Sequence, residues 1–126
     1  MEFVPTETLM CLASCLMPSL TRGHSRARRN RRFRSFFGTS VETCADLWYL
    51  CHNALHPDAW PMHLLWTLVF LKQHNTEEVN ASLAGVHEDT FRDWVWHVLN
   101  VIDSINYVST RVFLTSVINF FLDKFR

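Results

Sequence analysis

Residues 64–105 read LLWTLVFLKQHNTEEVNASLAGVHEDTFRDWVWHVLNVIDSI, and the punctuation inside this stretch decides the fold. With Glu77 as the first residue of a two-helix unit, Ala81 falls where the helices cross, Gly85 where the chain turns, and Ala84, Val86, Phe91 and Trp94 on buried positions. Asn80 alone breaks the pattern. The turn needs glycine because its backbone takes positive φ without a Cβ clash, and the crossing needs a small residue so that two helices can meet steeply. Thr76 is placed to cap the first helix, with Glu77 and Glu78 at the positive end of its dipole. In the second helix Phe91, Trp94, Val95, Val98, Leu99, Ile102 and Ile105 recur at spacings of three and four. The pattern predicts helices over 77–84 and 88–105, arranged as a helix-turn-helix.

Working outward, Pro61 starts a helix over 61–73 at a position where its missing N–H costs nothing. Leu64, Leu65, Trp66, Leu68, Val69, Phe70 and Leu71 leave that helix little polar surface, which puts it at the centre of a bundle. Further upstream, Thr39 and Glu42 read as a capping box for a helix over 40–55. Val41, Ala45, Trp48, Cys51 and Leu55 form its apolar stripe, and Pro57 ends it. No alternating β pattern of useful length appears. The expected fold is all-α, a small helical bundle with a disordered or weakly structured basic arm over 1–34, the helix-turn-helix domain over 35–105, and a C-terminal helix within 106–126.

The balanced total of 12 basic and 12 acidic residues hides a strong asymmetry. Residues 1–34 carry seven arginines against Glu2 and Glu7, a surplus of five, whereas residues 35–110 carry Lys72 and Arg92 against nine acids. The run Arg22 to Arg34, RGHSRARRNRRFR, repels itself and is expected to stay unfolded until it meets an anion. Any polyanion meets this run first. The four cysteines, Cys11, Cys15, Cys44 and Cys51, form no regular framework, which favours a reducing compartment. No apolar stretch reaches the roughly 20 residues needed to span a bilayer, so no membrane association is expected.

Two segments carry a family resemblance: FRSFFGTSVETCADLWYLC (33–51) and HLLWTLVFLKQHNTEEVNASLAGVHEDTFRDWVWHVL (63–99). Together they resemble the N-terminal region of Harbinger-like transposases over about residues 32–105. The FLKxxxTEE and GVxExTFRxWVW runs are the most specific parts of the match. The resemblance implies a helical region ahead of a DDE nuclease domain and a two-component arrangement in which a separate Myb-like protein shares target recognition. The arginine run, which serves nuclear import or is a solvated tail, gives the expectation of a nuclear location. From Asn106 onward the sequence departs from the family, so the expectation is a truncated or decayed copy without the catalytic domain, and hence not an enzyme.

The candidate DNA contacts are Arg28, Arg29, Arg31, Arg32 and Arg34 on phosphates, with Thr90 and Arg92 presented to the groove by the Gly85 turn. Phe33, set among the arginines, is expected to seal the core. His87, Glu88, Asp89, Arg92, Asp93 and Trp96 are the expected exposed positions of the second helix, so three acids would face phosphate. That supports an alternative, a protein-interaction module recruiting a basic partner or forming a homodimer. Cys44, Cys51, His52 and His56 cluster, but Cys44 and Cys51 lie two helical turns apart where zinc sites favour ligands two to four residues apart. No metal, cofactor or catalytic residue is expected.

Overall fold

The computed structural model describes residues 4–105, and among these every regular element is helical. The order is α1 (Thr6–Leu16), α2 (Arg26–Phe37), α3 (Val41–Cys51), a 3₁₀ turn (His52–Ala54), α4 (Pro61–Lys72), α5 (Glu77–Ala84) and α6 (Glu88–Ser104). The C-terminal helix expected within 106–126 lies outside the described residues.

Helix α4 is the axis of the bundle. Every side chain from Met62 to Val69 is buried, and Leu71 with them. Helix α6 packs most extensively against it, and α1, α2 and α5 also pack directly on it. Pro61 opens the helix as the sequence predicts, and the Trp60 N–H donates to Nδ1 of His63 at 3.1 Å. The cap of α3 falls one residue later than expected: Ser40, not Thr39, accepts the Thr43 N–H at 3.1 Å, while Thr39 is buried.

The largest departure from expectation is at the N-terminus, where α1 and α2 replace a disordered arm. Leu9, Met10, Ala13 and Leu16 put one face of α1 into the core. In α2 the arginines make five like-charged pairs at spacings of three or four, each costing roughly 0.2–0.5 kcal/mol. Against this, Phe33 and Phe37, one turn apart and about 1% exposed or less, each contribute about 1.5–3 kcal/mol by burial. Both ends are also capped. Ser25 Oγ accepts the Arg28 N–H at 3.3 Å, and Gly38 takes a left-handed conformation at φ 84° while its N–H donates to the Arg34 carbonyl. Burial and caps outweigh repulsion, so the arginine run is folded.

The turn between α5 and α6 has the backbone that glycine permits. Gly85 sits at φ 72°, ψ 30°, and the Val86 N–H donates to the Ala81 carbonyl at 3.1 Å. Thr76 Oγ1 accepts the Val79 N–H at 3.2 Å. Asn80, the misfit in the sequence pattern, is 2% exposed, and its Oδ1 accepts Asn75 Nδ2 at 3.2 Å, so the buried amide oxygen has a partner. Ala84, Val86 and Trp94, expected in the core, are only partly buried against it. For Trp94 the reason is geometric: one face stacks on His63 at a centroid distance of 3.8 Å and 6° between planes, which leaves its outer edge accessible.

Candidate nucleic-acid interface

Helix α2 holds six arginines, Arg26, Arg28, Arg29, Arg31, Arg32 and Arg34, and no acid. Successive helical residues turn by about 100°, so with Phe33 and Phe37 inward, Arg28, Arg31 and Arg34 fan across the opposite face. All three are exposed, as are Ala27 and Ser35 between them. Each step of three residues turns the side chain by about 60° and advances it about 4.5 Å, giving a fan some 120° wide and about 9 Å long. Arg29 and Arg32 are half-buried on the flanks. Arg29 lines a small cleft with Arg26, Asn30, Glu7 and Glu42, and Arg32 Nη2 donates to Ser19 Oγ at 3.1 Å.

None of these six guanidiniums forms an ion pair among the described residues. Arg26, Arg28 and Arg29 stand in the first turn or just beyond it, where the helix dipole is itself positive and cations are disfavoured. These three are carried against the helix dipole, whereas Arg34, in the last turn, is favoured by it. Lys72, the last residue of α4, extends the basic surface: its Cδ lies 3.4 Å from where a Cβ on Gly38 would stand, beside the end of α2.

The α5–α6 side differs in sign. Arg92 donates from Nε to Glu77 Oε1 at 3.1 Å, from Nη2 to Glu77 Oε2, and from Nη1 to Asp89 Oδ1 at 2.9 Å. This pairing holds the Glu77 carboxyl below its usual range and raises the guanidinium, with the shared hydrogen bonds as the main cause. Thr90 is exposed but stands among Glu88, Asp89 and Asp93. Of the residues proposed from sequence, the structure therefore gathers Arg28, Arg31 and Arg34 on one free face, turns Arg29 and Arg32 partly inward, and commits Arg92 to acids of its own unit.

Sequence reasoning missed the helical display of the arginines, together with Ser35 and Lys72. The signals were present: Ser25 as a cap, phenylalanines four residues apart, and Gly38 just past the end. No protein-family model, curated protein or solved structure matches this chain.

Two further clusters lie outside α2. His63, 5% exposed, stacks on Trp94 and abuts Trp66, while His97 Nε2 accepts the His56 N–H at 2.9 Å, tying α6 to the loop before α4. Burial, reinforced by nearby His97, pushes His63 down to about 4. Cys44 and Cys51 are buried on one face of α3, and burial pushes both thiols up to about 12. Cys11 and Cys15 are exposed on α1. Among the described residues no three or more His, Cys, Asp or Glu side chains are grouped to hold a metal ion, and no helix is long and apolar enough to cross a membrane.

Proposed function

We propose that this chain is a DNA-binding module whose phosphate contacts come from the exposed arginines of α2. The observation that carries the reading is the density of positive charge: six arginines on one helix, none in an ion pair among the described residues, with three fanned over an exposed face. Three of the six, Arg26, Arg28 and Arg29, stand toward the end of the helix where the dipole disfavours cations. The resemblance to the N-terminal region of Harbinger-like transposases points the same way and suggests a non-enzymatic role, and the arginine run suggests a nuclear one. The test is a salt titration of binding to random duplex DNA. With Arg26, Arg28, Arg31 and Arg34 of α2 exposed, and Arg22 just before it, about four neutralised phosphates give a log–log slope near −4, at about −0.9 per contact. A slope near zero, or no binding at low salt, refutes the reading.

A second reading applies to the α5–α6 unit. The unit carries Glu77, Glu78, Glu88, Asp89 and Asp93, and its one arginine, Arg92, is already engaged by Glu77 and Asp89. Such a surface suits a basic protein partner of the Myb-like kind that the resemblance implies, or a second copy of the chain, better than a phosphate backbone. Pull-down by a basic partner that survives loss of the α2 arginines supports it.

A further inference from the structure

We infer that α2, and not the second helix of the helix-turn-helix pattern, lies in the major groove of B-form DNA, with Arg28 and Arg34 toward the two phosphate walls and Arg31 and Ser35 toward the base edges. This rests on the DNA-binding reading above and specifies its geometry.

Three observations lead there. First, the outer face of α2 is uncovered among the described residues: Ala27, Arg28, Arg31, Arg34 and Ser35 are all exposed, while Phe33 and Phe37 anchor the inner face. Second, the arginine fan has a centre and two flanks. Arg28 and Arg34 diverge by about 120°, with Arg31 midway and Ser35 between Arg31 and Arg28. A helix is about 10–12 Å across with its side chains, which matches a major groove about 12 Å wide. Flanking cations then reach phosphates on both strands while the centre meets base edges, where arginine pairs with guanine N7 and O6 and serine accepts or donates to any base. The major groove of A-form RNA is too deep and narrow for this entry. Third, α6 is a poor competitor: Asp89 and Asp93 are exposed, Glu88 is half-exposed, and Arg92 is held by both Glu77 and Asp89. Inserting α6 would bring carboxylates to phosphate and break those pairs.

The experiment uses the whole chain, first against a 20-base-pair DNA duplex, the A-form RNA duplex of the same sequence, and heparin at matched salt. A site selected from random duplexes is then footprinted with dimethyl sulfate. The expected result is DNA bound at least about tenfold more tightly than duplex RNA, with guanine N7 protected from methylation. Arg31→Lys keeps the charge but loses the planar fork, so it should hold random DNA nearly as well as wild type while preference for the selected site falls on the order of ten- to a hundredfold. Arg31→Gln, which removes the charge as well, should weaken every sequence in addition. Arg31 is exposed, and thermal melts confirm folding of both variants. Protection at adenine N3 instead of guanine N7, equal affinity for RNA and DNA duplexes, or unchanged preference in Arg31→Lys together with tighter DNA binding by Asp93→Lys would each overturn the placement of α2 while leaving DNA binding intact. Failure to bind any of the three polyanions would overturn DNA binding itself.

Discussion

At the scale of single residues, Gly85 and His63 carry the sharpest consequences. A Cβ added to Gly85 would meet nothing within 4 Å, so a side chain there pays for backbone strain alone. Gly85→Val should therefore destabilise by about 1–3 kcal/mol, because β-branched residues strongly resist positive φ. Gly85→Asn should recover part of that loss, since asparagine tolerates the left-handed region. Denaturant midpoints measure both, and a valine variant as stable as wild type contradicts the turn. His63 makes stability depend on pH. Its folded-state value near 4 lies below the ordinary 6.5, so the unfolded chain takes up the proton first. The neutral imidazole's contribution is complete above about pH 6.5 and is lost as pH falls toward 4. Replacing His63 with Phe, which keeps an aromatic ring beside Trp94, should flatten this acid limb in urea titrations at pH 7, 5.5 and 4. An unchanged limb would assign the acid sensitivity to other groups.

Among the elements, α2 separates what stabilises the bundle from what the surface presents. Changing Arg28, Arg31 and Arg34 together to Gln removes repulsion and no ion pair among the described residues, so the melting temperature should stay level or rise while duplex affinity falls and the salt slope flattens. A lower melting temperature would mean that these side chains stabilise the fold. Limited trypsin digestion tests the helix itself: cleavage should start after Arg22, in the turn before Ser25, and bonds after Arg31 and Arg32 should resist. Immediate cleavage throughout Arg26–Arg34 would restore the disordered arm. Helices α4, α5 and α6 were legible in the sequence because proline, threonine and glycine mark their ends and their apolar faces repeat with helical period. Helix α2 was not, because charge density dominates its composition and only Phe33 and Phe37 report the buried face. Arg92 misled for a different reason: nothing local in the sequence shows that Glu77, fifteen residues earlier, folds back to claim it.

For the molecule as a whole, α4 makes the N-terminal and C-terminal halves one cooperative unit. Leu65 is fully buried on that axis, so Leu65→Ala should cost about 2–5 kcal/mol. Far-UV circular dichroism and tryptophan fluorescence should then melt together. Separate transitions would mean that α1 and α2 fold independently of the rest. The same axis keeps opposite charges apart. Helix α2 packs on α3 and α4, the α5–α6 unit packs on α4 and α1, and a duplex on the arginine face need not approach the carboxylates.

The cysteines turn that shared core into a clock. Cys11 and Cys15 face solvent, while Cys44 and Cys51 are sealed in the bundle with thiols that resist ionisation, so an alkylating reagent should capture two sulfurs at once and the other two only when the fold opens. Counting added mass against time by mass spectrometry would then report the opening frequency of the native protein in plain buffer, with no dye or denaturant. Bound DNA should lengthen the interval by the factor its binding energy predicts.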